Sequence, residues 1–314
     1  MKRSLIIFGV LATSVAHAQS AAPASATTTS APLLGQGGNA MPTNPALPTI
    51  WIVGDSTVRN GQGNGAGNGQ WGWGAPIEYY FDLNKVNVVN RAVGGTSSRT
   101  FYNAQWKNVV PEIKKGDFVL MQFGHNDNNG NFTGAGGYRA SLNGVGDEIQ
   151  VVDNARSGSP ETVHTFGWYM KQYVEEARAK GATPIICSLI PRKIWGDDGK
   201  IVRHNADYVG YGGWAAEVAK QENIPFVDLN EITARKYDAM GKDLVEPRFV
   251  PVPTEHTHTD WYGAVINAES VIGGLKALKE DPLANYFSNR GKAVPAVDLS
   301  QPEPPLVKPA AAAK

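Results

Sequence analysis

Residues 49–57 of this 314-residue chain read Thr-Ile-Trp-Ile-Val-Gly-Asp-Ser-Thr, a short apolar run followed at once by a polar turn. A β-branched and aromatic run bounded by glycine is typical of a buried strand. Ser56 therefore comes at the carboxyl end of a predicted strand, which is the edge where open α/β sheets bind their ligands. Gly-Asp-Ser is also ordinary turn chemistry, so the tripeptide gains meaning only from the polar blocks that come later.

Three such polar blocks follow in the chain. Residues 90–99 contain the glycine pair Gly94-Gly95 after a second apolar run, and residues 122–127 contain Asn126 after a third. Residues 255–259 read Glu-His-Thr-His-Thr and precede the last predicted helix. Since the carboxyl ends of parallel strands meet at one edge of a sheet, we expect these blocks to converge on a single site.

The fold class follows from the type of hydrophobic pattern. Apolar runs that are largely continuous, as in strands covered on both faces of a parallel sheet, occur at 49–53, 86–93, 117–123, 183–190 and 225–229. Helical spacing is clear at 166–177 and 261–275 and weaker at 204–222 and 230–240. The alternation predicts a three-layer α/β/α sandwich with a five-stranded parallel sheet. Two long loops, 61–69 and 128–160, are expected to form walls of a site.

The two ends of the chain are predicted to lie outside this domain. Lys2-Arg3, an apolar stretch at 5–15 and Ala16-His17-Ala18 make a secretory signal peptide at 1–18, so we expect export to the periplasm or the extracellular space. Residues 19–48 are rich in Ala, Ser, Thr and Pro and predict a disordered linker. The folded domain is placed at 49–292, and a disordered Pro/Ala tail at 293–314.

Composition limits the classes of partner. The 29 Lys and Arg residues balance the 29 Asp and Glu residues, which argues against a nucleic-acid or membrane-surface partner and suits a neutral substrate. The single cysteine, Cys187, lies inside the fourth apolar run and is expected to be a buried strand residue without an intrachain disulfide.

The chemistry that these residue types support is acyl transfer. A serine hydroxyl becomes a nucleophile when a histidine that is oriented by a carboxylate removes its proton. His258 follows Glu255 by three positions, so one turn can point both side chains inward and make them base and orienting acid. Donors for the developing oxyanion are offered by the Gly94-Gly95 backbone and by the Asn126 side-chain amide. Each of these residues, taken singly, could also be an ordinary turn or loop residue. The hydrolase prediction therefore rests on their combination.

In their order along the chain, Gly54-Asp55-Ser56, Gly95, Asn126 and His258 resemble the four sequence blocks of the SGNH/GDSL hydrolases. Over about residues 49–280 the chain looks most like the rhamnogalacturonan acetylesterases, the twelfth carbohydrate esterase family. The resemblance implies a flavodoxin-like sandwich and removal of acetyl groups from pectic sugars without a metal or cofactor. It also implies that Ser56 is the nucleophile and His258 the base.

The same resemblance implies an oxyanion hole formed by the Ser56 N–H, the Gly95 N–H and the Asn126 amide. The chain departs from the fungal-type pattern at Glu255, where that pattern has Asp. An acetylxylan esterase or a broad-range acetylesterase would use the same chemistry and stays open as an alternative.

Two alternatives come from other functional classes. His256-x-His258-x-Asp260 on an extended segment would place three metal ligands on one face, and with Asp55, Asn126 and Asp127 they predict a two-metal phosphoesterase. A non-catalytic carbohydrate-binding protein would instead use tryptophan as a sugar-stacking surface. Trp71 and Trp73, which follow the Gly-rich loop, and His256 are the candidate substrate-binding residues.

Overall fold

Seven strands are present in the computed structural model, which describes residues 41–61, 68–127, 132, 134–203 and 210–301. They are β1 (Thr49–Gly54), β2 (Asn87–Asn90), β3 (Phe118–Gln122), β4 (Ile149–Asp153), β5 (Pro160–His164), β6 (Thr183–Cys187) and β7 (Phe226–Val227). Five of them form one parallel sheet in the order β2-β1-β3-β6-β7. Strands β4 and β5 pair separately as an antiparallel hairpin.

Eight α-helices connect or follow these strands in the described residues. They are α1 (Ser98–Ala104), α2 (Gly134–Gly137), α3 (Phe166–Ala179), α4 (Tyr211–Gln221), α5 (Leu229–Met240), α6 (Lys242–Val245), α7 (Trp261–Lys276) and α8 (Asn289–Ala293). Short 3₁₀ turns lie at Pro76–Tyr80, Trp106–Asn108, Val110–Glu112, Glu246–Arg248 and Ala284–Tyr286. None of these helices is long and apolar enough to cross a membrane.

The sheet has a hydrophobic layer on each face. Successive side chains of a strand point to opposite faces, and every residue of β1 is buried. Trp51 and Val53 pack in a cluster with α1, α3 and α4. Ile50 and Ile52 pack in the other cluster, with α5 and α7. This arrangement is the predicted three-layer sandwich with a five-stranded parallel sheet, and that prediction is confirmed.

Strand order positions the site. Because β1 lies between β2 and β3, the chain runs to one side of β1 first and to its other side afterwards. Such a reversal opens a crevice at the carboxyl ends of the central strands. Ser56, Gly95 and Asn126 follow β1, β2 and β3 within a few residues, so all three lie at this crevice.

Three predicted strands are longer than those of the structure: the fifth run was predicted to end at residue 229, but β7 ends at Val227. The second and fourth runs were predicted to end at residues 93 and 190, but β2 ends at Asn90 and β6 at Cys187. Their last apolar residues form the loops at the crevice instead. Strand β4 lies in the predicted loop 128–160, and β5 extends from the last residue of that loop to His164. This hairpin was not anticipated, because its strand residues are largely polar or exposed. Residues 62–67 of the other long loop, 61–69, lie outside the described residues.

The packed domain is wider than the predicted boundaries at residues 49 and 292. The Asn87 side chain accepts a hydrogen bond from Asn44 N (3.0 Å) and donates one to Asn44 O (2.8 Å). At the other end, Val297 N donates to Gly273 O (3.0 Å), and Val294, Val297 and Leu299 pack against the core. A few such contacts order segments whose composition predicts disorder. The predicted signal peptide, most of the predicted linker and the end of the predicted tail lie outside the described residues.

The prediction that Cys187 is a buried strand residue is confirmed. It is a free thiol in β6, 1% exposed and packed in the core cluster that includes Ile52. Burial raises the pKa of this thiol, so it is not a reactive nucleophile.

Candidate active site

Ser56 lies on a tight turn directly after β1. The buried Asp55 carboxylate accepts hydrogen bonds from the Thr57 N–H (2.8 Å) and the Thr57 hydroxyl (2.7 Å). Arg59 N donates to Asp55 O (3.0 Å), so residues 55–59 form one helical turn. These bonds hold the backbone while the Ser56 side chain stays partly exposed. Burial raises the pKa of Asp55, although the bonds from Thr57 act in the opposite direction.

A buried chain of hydrogen bonds ties this turn to β3. The Trp73 indole N–H donates to Gln122 Oε1 (2.7 Å), and Gln122 Nε2 donates to the Thr57 hydroxyl (2.7 Å). Trp73 is fully buried in the core, so the prediction that it is a substrate-binding residue is wrong. Its indole N–H needs a partner when buried, and that partner supports the Ser56 turn from behind.

Ser56, His258 and Glu255 form a continuous chain across the crevice. The Ser56 hydroxyl oxygen lies 2.7 Å from His258 Nε2, and His258 Nδ1 lies 2.9 Å from Glu255 Oε2. The second carboxylate oxygen accepts from Thr257 N (2.7 Å) and His258 N (3.0 Å). This is the order in which a nucleophile, a base and an orienting acid are arranged in a catalytic triad.

The electrostatics of Glu255 suit that arrangement. Burial alone raises its pKa, but the hydrogen bonds from the His258 side chain and from the Thr257 and His258 N–H groups outweigh this effect and lower the pKa to about 2. Glu255 is therefore ionised at neutral pH, and a negative charge next to Nδ1 stabilises an imidazolium.

The three residues that carry the predicted oxyanion donors, Ser56, Gly95 and Asn126, line one cleft. Gly95 has φ +78°, a left-handed conformation that glycine adopts without strain. Among the described residues, neither the Ser56 N–H nor the Gly95 N–H donates to a protein acceptor. Asn126 Nδ2 donates one hydrogen to Thr96 O (3.0 Å), which leaves its second hydrogen available.

Two arginines that sequence reasoning missed also line the cleft. The cleft has a volume of about 470 Å³ and is lined by Ser56, Arg59, Gln70, Gly94, Gly95, Asn126, Arg139 and His258. Arg139 Nη1 donates to Asn126 Oδ1 (2.9 Å) and lies 3.5 Å from Gly95 O. Because a guanidinium only donates, this contact fixes the amide with its oxygen toward Arg139 and its NH₂ group toward Thr96.

Asp127 holds the loops of the cleft together. It is fully buried and accepts hydrogen bonds from Ser98 N, from the Ser98 hydroxyl and from the Ser141 hydroxyl (3.1 Å). Burial raises its pKa to about 6, while the bonds from Ser98 and Ser141 act in the opposite direction. One carboxylate thus connects the loop of Asn126, the loop of Gly95 and the loop of Arg139.

The other two predicted substrate-binding residues lie outside the lining of the cleft. Trp71 packs edge-on against Trp261 with ring centroids 4.9 Å apart. His256 Nδ1 lies 2.9 Å from the Thr257 hydroxyl. Both side chains are partly exposed, and their contact with a substrate stays a prediction.

The metal ligands of the phosphoesterase alternative are not brought together. The Asp260 carboxylate accepts from Gly263 N (2.7 Å) and caps α7, while His258 contacts Ser56 and Glu255. Within the described ranges, no group of three or more His, Cys, Asp or Glu side chains is placed to hold a metal ion.

Comparisons with known proteins found a matching family model and similar proteins. The model of the GDSL-like lipase/acylhydrolase family matches residues 52–250. The rhamnogalacturonan acetylesterase of Emericella nidulans is 31% identical over 225 residues, which cover 71% of this chain and 83% of that protein. The probable rhamnogalacturonan acetylesterase YesY of Bacillus subtilis is 29% identical over 232 residues, which cover 73% and 93%.

A solved structure, that of the Bacillus subtilis protein YxiM, has a similar fold. The TM-score is 0.58 at 23% identity, and the match covers 73% of this chain and 56% of that one. The family match ends at residue 250, so Glu255 and His258 lie beyond it.

Proposed function

The chain belongs to the GDSL-like lipase/acylhydrolase family and is a carboxylic ester hydrolase, and on that premise we propose that it removes acetyl groups from plant cell-wall polysaccharide. We propose acetylated rhamnogalacturonan, a pectic polymer, as the preferred substrate. The observation that carries the proposal is the continuous chain from Ser56 through His258 to Glu255, which opens into a polar cleft. Relatives named rhamnogalacturonan acetylesterase support the choice of polymer.

The geometry supports a two-step acyl transfer. His258 Nε2 accepts the Ser56 proton as the serine oxygen attacks the acetyl carbonyl, and Glu255 stabilises the imidazolium. The oxyanion accepts hydrogen bonds from the Ser56 N–H, the Gly95 N–H and the Asn126 amide. The imidazolium then gives this proton to the leaving sugar oxygen, which departs as a hydroxyl group and leaves acetyl-Ser56. A water molecule, deprotonated by the same imidazole, attacks acetyl-Ser56 and releases acetate and the free serine.

The lining of the cleft favours an ester substrate with a short acyl group and a sugar as the alcohol part. Its eight residues are polar, charged or glycine, and none has a large apolar side chain. A long fatty acyl chain would need an apolar surface on which to bury its methylenes. Acetyl has one methyl group and does not.

The proposal includes export. A substrate in the plant cell wall lies outside the producing cell, and the Lys2-Arg3 pair, the apolar stretch at 5–15 and Ala16-His17-Ala18 support a cleaved secretory signal. Fractionation of cells that express the full chain, with N-terminal sequencing of the product, tests this. A mature protein that begins at Gln19 outside the cytoplasm agrees with export, and a cytoplasmic protein that retains Met1 contradicts it.

Acetate release from a panel of esters tests the activity. We expect release from acetylated rhamnogalacturonan to be fastest, release from acetylxylan to be slower, and 4-nitrophenyl octanoate to be a poor substrate compared with 4-nitrophenyl acetate. Ser56→Ala serves as the blank for each ester. A higher kcat/KM on acetylxylan would favour the acetylxylan esterase alternative, and a preference for octanoate would overturn the acetylesterase proposal.

A further inference from the structure

Arg59 shares the helical turn of the nucleophile. The Arg59 N to Asp55 O hydrogen bond (3.0 Å) closes one turn, on which Ser56 and Arg59 are three residues apart. Residues at this spacing lie on the same side of a turn. Both side chains line the cleft, so the guanidinium stands next to the place where the ester must bind.

Contacts with Gly94 and Gln70 fix the position of the Arg59 side chain. A Cβ atom added at Gly94 would lie 2.6 Å from Arg59 Nε and 2.9 Å from Arg59 Cδ, so the side chain crosses the space that the glycine leaves open. At its tip, Arg59 Nη2 is 3.4 Å from Gln70 Oε1, a long hydrogen bond to a neutral group. The Nε atom is buried and has no protein acceptor in the described part of the chain.

Arg59 lacks a carboxylate partner among the described residues, unlike several other arginines. Arg178 binds Glu222, Arg203 binds Asp238, and Arg235 binds Glu231. Burial lowers the pKa of Arg59, which reflects the cost of a partly desolvated cation without a counter-ion. A ligand that brings a carboxylate into the cleft would meet this cation in the bidentate geometry that guanidinium favours.

We propose that Arg59, flanked by Gln70 and seated over Gly94, binds the carboxylate of a uronic acid residue near the acetylated sugar and so selects acidic over neutral polysaccharides. The proposal rests on the proposed function and deepens it. Arg139 has a different contact, because its guanidinium is bound to the Asn126 amide. The formal net charge of zero, which suited a neutral substrate, describes the whole chain and not the cleft.

Three oligosaccharide substrates test the proposal. They are acetylated rhamnogalacturonan oligosaccharides with free carboxyl groups, the same compounds with methyl-esterified carboxyl groups, and acetylated xylo-oligosaccharides. The readout is the ratio of kcat/KM between the acid and its methyl ester, measured by acetate release. We expect a ratio of roughly ten or more in the wild type, the size of a hydrogen bond to a charged group. In Arg59→Gln the ratio should fall close to one, with the change mainly in KM.

Two further variants sharpen the test. Gly94→Ala keeps the charge of Arg59 but displaces its side chain, because the added Cβ atom would lie too close to it. We therefore expect a ratio of acid to methyl ester between those of the wild type and Arg59→Gln. Arg178→Gln is the matched control. Arg178 lies at the end of α3, next to the start of β6, and therefore at the amino ends of the strands, away from the cleft. This variant should keep the wild-type ratio.

Three results would overturn the subsite. The first is equal wild-type rates on the acid and the methyl ester. The second is an unchanged ratio in Arg59→Gln at normal activity, and the third is an unchanged ratio with an equal loss on all three substrates, which would show only support of the Ser56 turn. Absence of wild-type acetate release from all three oligosaccharides would refute the proposed function together with the subsite.

Discussion

In the variant Glu255→Gln, the side chain cannot keep all the hydrogen bonds that the carboxylate accepts. The carboxylate now accepts two backbone hydrogen bonds on Oε1 and the His258 Nδ1 bond on Oε2. An amide has a single acceptor oxygen. If this oxygen stays with the Thr257 and His258 N–H groups, the NH₂ group faces Nδ1. His258 must then carry its proton on Nε2, where it cannot accept the Ser56 proton.

The number of hydrogen bonds decides which orientation is preferred. The orientation with the oxygen on the backbone keeps two bonds to the loop, whereas the reverse keeps one bond to His258 and leaves two N–H groups unpaired. The difference favours the wrong tautomer by about 1 kcal/mol. Loss of the negative charge next to the imidazolium adds to this penalty. We expect a decrease in kcat of roughly 10³–10⁴-fold, as for the equivalent acid-to-amide change in a serine protease triad.

The assay is steady-state hydrolysis of 4-nitrophenyl acetate and of acetylated rhamnogalacturonan, with thermal unfolding to check the fold. Glu255→Asp is the matched control, because it keeps the charge and shortens the reach; we expect a loss of at most about 10²-fold from misplacement. Since Glu255 has a pKa of about 2, its protonation does not contribute to the pH profile between pH 4 and 9. A Glu255→Gln enzyme within about tenfold of the wild type would refute the orienting role.

Four other outcomes are expected. Ser56→Ala should stay folded and lose at least about 10³-fold in acetate release; near-parental release would exclude it as nucleophile. Asn126→Ala should lose roughly 10²–10³ in kcat with little change in KM, and a loss confined to KM would make it a substrate-binding residue. His258→Ala should be inactive while His256→Ala keeps much of the activity; two inactive variants together with chelator sensitivity would favour the metal alternative. In the wild type, we expect the free energy of unfolding to fall as the pH rises from 4 through 6. In Asp127→Asn this fall should be smaller. The pKa of the Asp127 carboxyl is raised from 3.8 to about 6 by burial, so its stabilising contribution is complete below pH 3.8 and is lost above 6, by at most roughly 3 kcal/mol. Chemical denaturation at several pH values measures this, and parallel curves for the two proteins would contradict it.

Local sequence carried enough information for the sheet and for the order of the site. A continuous apolar run is a local signal, and each of the five runs contains a strand of the parallel sheet. The Glu255 to His258 spacing is also local, because one turn brings the two side chains within 2.9 Å. Parallel pairing then places the carboxyl ends of β1, β2 and β3 side by side, and Ser56 follows β1.

Contacts between distant segments could not be predicted in the same way. Arg139 is 13 residues from Asn126 and 44 from Gly95, and a charged loop residue in sequence is indistinguishable from a solvated one. Trp73 was assigned to the site because it follows a Gly-rich loop, yet its indole N–H meets Gln122, 49 residues away, in the core. Asp127 gives a weak signal, an acid directly after Asn126, but its partners come from two other loops.

The geometry of residues 255–258 explains how Glu can stand where the fungal-type pattern has Asp. The Glu255 carboxylate accepts hydrogen bonds from the N–H groups of Thr257 and His258, two and three residues later in the chain, so its longer side chain is held by its own loop. Glu255 and His258, the proposed orienting acid and base, therefore form a unit whose internal geometry depends little on the sheet. What the fold must fix is only the distance from this unit to Ser56, and the loop does so through two antiparallel contacts: Thr259 pairs with both Trp71 and Phe249. A change of one methylene inside the unit is absorbed locally, whereas displacement of Thr259 would separate His258 from the nucleophile.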